Sequence, residues 1–167
     1  LSGLAWVRRW TGGGTVDHRA DWTYSVIAPA GSAVAGMKGA ESYRMLHEAL
    51  AAALRDEGLT AILASGGSAT GESLCFRNPV GHDLVDAAGV KIAGAGQRRT
   101  RRGMLHQGSV ACVPSGERGF EERAKCLAGK LSTKWETVDF LVPPSWLEEK
   151  VGARYGNPHW LAGKRRE

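Results

Sequence analysis

The sequence predicts an α+β fold in which helices pack on a mostly antiparallel sheet. Two observations carry that expectation. Short runs rich in β-branched and aromatic residues are bounded by Gly or Pro, and stretches with helical apolar spacing fall between them without a regular strand–helix–strand rhythm. At 167 residues the chain is long enough to bury a core of its own, and one domain over residues 1–167 is the simplest organisation.

Leu4–Trp10 alternates loosely and reads as a strand, and Trp22–Ala28 reads as another. Pro29–Gly36 is small and polar enough for a loop. Between Lys38 and Glu57 the residues Tyr43, Leu46, Leu50, Ala53 and Leu54 recur at helical spacing, with Gly58 where a helix C-cap belongs. Thr60–Ala64 is a short buried strand, Ser65–Ser73 a flexible Gly/Ser connection, and Leu74-Cys75-Phe76 a brief apolar stretch before Pro79. Asp83–Ala87 and Val90–Ala95 form two strands turning at Gly89, and Met104–Val113 follows after a basic loop. Phe120, Ala124, Leu127 and Leu131 mark a helix over Gly119–Leu131. Pro144–Tyr155 is a last helix ended by Gly156, and the tail from Asn157 is expected to be partly mobile.

Composition narrows the function classes. The net charge is +5, with basic clusters at Arg98-Arg99, Arg101-Arg102 and Lys164-Arg165-Arg166, but no recognised nucleic-acid motif accompanies them. No apolar run approaches a membrane span, and Leu1–Val7 lacks the features of a signal peptide. Cys75, Cys112 and Cys126 contain no CxxC pair, which argues against a disulfide framework and a zinc site and points to a reducing cytoplasm. The absence of an initiating Met suggests a missing or processed N-terminus.

The organising stretch is Arg8-Arg9-Trp10-Thr11-Gly12-Gly13-Gly14-Thr15-Val16-Asp17-His18. Glycine reaches φ > 0 cheaply and lets a ligand approach the main chain, and bare N–H groups in such a turn form an anion cradle. Arg8 and Arg9 add planar cationic forks that fit phosphate or carboxylate. Taken alone, the glycines are better explained by a plain hairpin turn, and the spacing is that of neither a Walker A loop nor a dinucleotide fingerprint. A second block, Lys91-Ile92-Ala93-Gly94-Ala95-Gly96-Gln97, is followed by Gly103-Met104-Leu105-His106-Gln107-Gly108-Ser109.

The first block resembles the Arg-Arg-x-Ser/Thr-Gly-Gly-Gly-x-Val-x-His signature of the lipoate-protein ligase and octanoyltransferase superfamily, whose catalytic domain is shared with biotin protein ligases. The second resembles that family's Lys-Ile-x-Gly-Ser/Ala-Ala-Gln block and the His-x-Gly-Ser strand after it. The match covers roughly residues 4 to 112, and the Gly-Arg-Gly-Arg loop of biotin ligases is absent. It implies the biotin/lipoate protein ligase catalytic-domain fold, here without the family's usual N-terminal helix and strand. Arg8, Arg9, Thr11, Gly12, Gly13, Gly14, His18, Gly94 and His106 are then expected to contact the acyl head group or an adenylate. Trp10 stands beside the second arginine where the family often has another residue.

By residue type alone, Lys91 is a solvated strand lysine. The resemblance assigns its ammonium to the acyl carbonyl or acyl-adenylate, an oxyanion-hole role. Cys75-Phe76-Arg77-Asn78-Pro79 is similar to the Cys-Phe-x-x-Pro segment of cysteine-dependent octanoyltransferases, which implies a Cys75 nucleophile made reactive by Lys91 and His82. Packing between Leu74 and Phe76 is its alternative role. His18 and His106 are candidates for orienting a carbonyl or moving a proton, or for holding structure. His47, His82 and His159 match no motif.

The implied activity is transfer of an octanoyl or lipoyl group from acyl carrier protein to the target lysine of an apo-lipoyl domain through a thioester, with no cofactor and no metal. Both partners are small acidic proteins that a basic surface would steer; nucleic acid and membrane are not expected. The alternatives are an ATP- and Mg-dependent lipoate-protein ligase and a catalytically silent lipoyl-domain binding module.

Overall fold

Trp22–Pro29 (β1) alternates buried and exposed side chains, Trp22 and Ala28 inward and Thr23, Ser25 and Ile27 outward, as a strand with one packed face requires. Ile62–Leu63 (β2), Leu84–Val85 (β3), Lys91–Thr100 (β4) and Gly103–Val110 (β5) join it in an antiparallel sheet of order β1-β5-β4-β3-β2. The computed structural model describes residues 6–66, 80–114 and 116–162. It divides into two units, residues 11–136, which hold the sheet, and residues 1–10 with 137–167.

The long helix Gly39–Asp56 (α2) covers the sheet with Leu46, Leu50, Ala53 and Leu54, and the helix Gly116–Leu131 (α3) lies beside it. Trp22, Leu50, Leu54, Leu84, Ala93, Val110 and Leu127 form the shared core. Gly58 ends α2 at φ +84°: its N–H donates to the Arg55 carbonyl at 2.9 Å, and that of Leu59 to Leu54 at 3.0 Å, a Schellman closure. Arg123 of α3 is fully buried. It grips the Glu57 carboxylate through Nε (2.9 Å) and Nη2 (2.7 Å), donates through Nη1 to the Cys112 carbonyl at 2.5 Å, and stands over the Trp22 ring.

Several elements differ from the sequence expectation. The segment Arg98–Thr100, with its two basic residues, continues β4, because full pairing with β5 outweighs the charge pattern, and only Arg101 and Arg102 form the turn. Gly103 closes that hairpin at φ +129°, where a Cβ would run into the Ala28 carbonyl. Ala33–Gly36, expected as loop, is a short helix (α1) capped by Ser32, whose Oγ accepts the Ala35 N–H at 3.4 Å.

In the smaller unit, residues 6–10 form no strand, in contrast to the expectation for Leu4–Trp10. Pro144–Lys150 (α4), with Pro144 opening the first turn, passes into a π-helical segment, Val151–Tyr155, and Pro158–Ala162 (α5) is a helix where a mobile tail was expected. Trp160 of α5 gives the reason: it stacks on Trp10 at 5.6 Å and donates its indole N–H to the Arg8 carbonyl at 3.0 Å.

Candidate active site

Lys91 opens β4, and its side chain is 3% exposed. A lysine so placed needs a counter-charge. Asp83, wholly buried just before β3, supplies it: Lys91 Nζ lies 2.7 Å from Asp83 Oδ2. The same oxygen accepts the Val80 N–H at 2.8 Å, and Oδ1 accepts the Tyr43 hydroxyl at 2.5 Å. His82 sets up this turn. It is left-handed, φ 70°, a strained conformation for a non-glycine residue, and its carbonyl accepts Nδ1–H of the buried His47 at 2.7 Å.

The glycines of the second block make room for this arrangement. A Cβ at Gly94 would lie 2.6 Å from Lys91 Cε, 2.7 Å from Nζ and 3.1 Å from Asp83 Oδ1. At Gly96 it would strike the Gly12 carbonyl oxygen, with Thr11 Oγ1 at 3.0 Å. Thr11 is buried here and donates to Gln107 Oε1 at 3.2 Å. The first glycine motif therefore lies directly on the glycine strand of the second. Gly13, at φ +111°, shapes that turn.

His106 of β5 is fully buried and held at both ring nitrogens. The Gln97 amide nitrogen is 3.2 Å from Nδ1, so Nδ1 accepts and the Nε2–H donates to the Tyr24 hydroxyl at 3.1 Å. Gln97 is fixed in turn by Ser42, whose Oγ donates to Oε1 at 3.2 Å. Gly108 lets the Tyr24 ring cross the strand, since a Cβ there would stand 2.5 Å from ring atoms. The His-x-Gly spacing is thus one device, a histidine and the gap its tyrosine partner fills.

Burial sets the protonation of this interior. It pushes the His47 imidazole down to about 4 and that of His106 to about 3, so both are neutral near neutral pH. Burial, reinforced by the Asp83 charge, raises the phenols of Tyr24 and Tyr43 and keeps both protonated. His47 Nε2 is buried without a hydrogen-bond partner among the described residues.

The structure brings Lys91 and Gly94 together, and Thr11 and Gly12 against β4. His18 is half exposed and bound through Nδ1 to Asp21 Oδ2 at 2.7 Å. Arg8 and Arg9 belong to the smaller unit, where Arg8 donates to the Trp160 carbonyl at 3.2 Å and stands over its ring at 4.9 Å. Cys75 lies outside the described residues. Sequence reasoning missed Asp83, Tyr43, His47 and Gln97; the signal for Asp83 was that a buried lysine requires a nearby acid. Chemically, the arrangement offers a buried, rigidly held ammonium beside bare main chain, suited to an oxygen on which negative charge develops.

An α+β domain with this paired lysine and these two interlocked glycine motifs defines an acyl-group ligase or transferase fold, and the chain belongs to the lipoyl protein ligase A/B catalytic domain family, whose model matches residues 2–135. It is similar to the octanoyltransferase LipM of Brevibacillus brevis, with 34% identity over 116 residues, 65% of this chain and 42% of that protein. LipM of Bacillus subtilis is 33% identical over 115 residues, 64% of this chain and 41% of that one. The chain therefore spans less than half the length of these relatives. Among solved structures, a bipartite lipoate protein ligase with its E2 lipoyl domain from Thermoplasma acidophilum superposes with a TM-score of 0.65 at 20% identity, covering 96% of this chain and 72% of that one. A lipoate-protein ligase A bound with ATP gives 0.68 at 21% identity, covering 95% and 72%. The fold is that of the lipoate ligase catalytic domain. Among the described residues no helix is long and apolar enough to cross a membrane.

Proposed function

We propose that this protein is an octanoyltransferase that moves an octanoyl group from acyl carrier protein to the target lysine of an apo-lipoyl domain, through a thioester on Cys75. The observation that carries the reading is the buried Lys91–Asp83 pair at 2.7 Å beside Gly94, in a chain similar to LipM octanoyltransferases. Cys75 thiolate attacks the carrier thioester carbonyl; the S–C bond to the enzyme forms, and the carrier thiolate leaves and takes a proton. The acceptor lysine amine then attacks the enzyme thioester, the C–N bond forms, the C–S bond breaks, and the amine proton passes to the departing Cys75 sulfur. Lys91 donates to the acyl oxygen in both additions, where charge develops.

This route consumes no ATP, and its need for a reduced thiol favours a cytoplasmic enzyme. Thr11 to Gly14 and Gly94 serve the acyl group in this reading, and His18 a proton or a carbonyl. The test is the mass of an apo-lipoyl domain incubated with the protein and octanoyl carrier protein without nucleotide. A gain of one octanoyl group supports transfer. A gain that requires ATP, magnesium and free octanoate instead assigns the chain to the ligases, and no gain under either condition leaves a lipoyl-domain binding module.

A further inference from the structure

Tyr43 stands on α2, far in sequence from both glycine motifs, yet its hydroxyl joins the carboxylate that holds Lys91 to the strand that carries Gly94. The hydroxyl hydrogen goes to Asp83 Oδ1 at 2.5 Å, and the oxygen accepts the Ala95 N–H at 2.9 Å. Ala95 has this N–H to offer because β3 is short: its pairing with β4 stops at Leu84 opposite Ala93, and two residues further along β4 the Tyr43 hydroxyl of α2 takes the place of a strand. The ring is held by His47 on the same helix at 4.2 Å and by His106 of β5 at 5.6 Å. Asp83 is thus tied to α2 and β4 by one oxygen and to Val80 and Lys91 by the other.

We propose that Tyr43 is a positioning residue for acyl transfer: its hydroxyl locks Asp83 to the main chain of Ala95 and thereby fixes the place of the Lys91 ammonium beside Gly94. The proposal rests on the assignment of Lys91 to the acyl oxygen. Without the hydroxyl, Asp83 keeps Lys91 and Val80 as donors, but one carboxylate oxygen is released and the ion pair can swing. An ammonium displaced from the reacting oxygen stabilises the transition state less and leaves substrate binding unchanged.

The experiment uses Tyr43→Phe, which keeps the ring and its packing. Octanoyl transfer should show kcat reduced by roughly fivefold or more, with KM within about twofold of the parent, as expected for one lost buried hydrogen bond felt only in the transition state. In a Lys91→Met background, adding Tyr43→Phe should cost nothing further, because the tyrosine acts through the lysine. Independently of activity, brief acetic anhydride labelling of the folded proteins, read by peptide mass spectrometry, should acetylate Lys91 several-fold faster in Tyr43→Phe, with the other lysines unchanged. Asp83→Asn should raise Lys91 labelling in the same way and stands in if Tyr43→Phe does not fold. Unchanged kcat with unchanged labelling, or an equal loss of activity in the Lys91→Met background, overturns the proposal. If the parent protein transfers no octanoyl group, the acyl-transfer reading falls and the labelling alone decides the role of Tyr43.

Discussion

The Lys91 ammonium and the Asp83 carboxylate, eight residues apart in sequence, meet at 2.7 Å with side chains 3% and 0% exposed. Two charges so buried stabilise each other only as a pair, and removing one strands the other. Lys91→Met should therefore lower stability by about 3 kcal/mol, and the double variant Lys91→Met/Asp83→Asn should regain much of that loss. Both variants should transfer octanoyl groups far more slowly than the parent, with measurable residual activity. Urea melts beside transfer assays check this; recovered activity in the double variant would remove Lys91 from the chemistry.

Gly94→Ala and Gly96→Ala should fail differently. The methyl at Gly94 meets the far end of Lys91, which can move aside, so activity should fall at least tenfold, about 1.4 kcal/mol of transition-state stabilisation, while the melting temperature changes little. The methyl at Gly96 meets the Gly12 backbone oxygen and has no such escape, and should cost about 1–3 kcal/mol of stability. Thermal melts and rates on the two variants separate these outcomes.

Acid should destabilise the fold through its buried histidines. His47 falls from an ordinary 6.5 to about 4 because burial disfavours its charged form, and His106 falls to about 3 for the same reason. Between these values and 6.5 the unfolded chain binds protons that the folded one does not, so stability is complete above about pH 6.5 and declines as pH falls toward 4. Each histidine should contribute roughly 1–2 kcal/mol of loss between about pH 7 and pH 5. His47→Phe should flatten the slope; an unchanged slope in denaturant titrations would place the acid sensitivity elsewhere.

Arg123, about 1% exposed, binds Glu57 bidentately and the Cys112 carbonyl, joining α3 to the end of α2 and to the residues after β5. Arg123→Ala should cost about 3 kcal/mol, since it strands the carboxylate and a carbonyl and opens space beside Trp22. Chemical denaturation measures it, and a cost below 1 kcal/mol would mean that water replaces the guanidinium freely.

Much of this was legible in the chain. The period of two in Trp22–Ala28 and the helical spacing of Leu46, Leu50 and Leu54 are imposed by burial on one face, and both emerge as drawn. Within the second motif, Lys91, Gly94 and Gly96 share β4, where Gly94 lies against Lys91 and Gly96 against Thr11 and Gly12. Tyr43 was not legible as more than a core residue, because apolar spacing cannot distinguish a ring that only packs from one whose hydroxyl reaches a strand 52 residues later. Arg98–Thr100 misled because local charge says nothing about a pairing strand. The helix of the tail depends on Trp10 and Arg8, some 150 residues earlier, a contact no local pattern contains.

The most direct measurement is the intact mass of the protein after incubation with octanoyl carrier protein, beside Cys75→Ala and Lys91→Met variants. One hydroxylamine-labile octanoyl adduct is expected on the parent, none on Cys75→Ala, and strongly slowed formation on Lys91→Met. An adduct that persists in Cys75→Ala, or octanoylation of the lipoyl domain that proceeds only with ATP and free octanoate, would contradict transfer through Cys75.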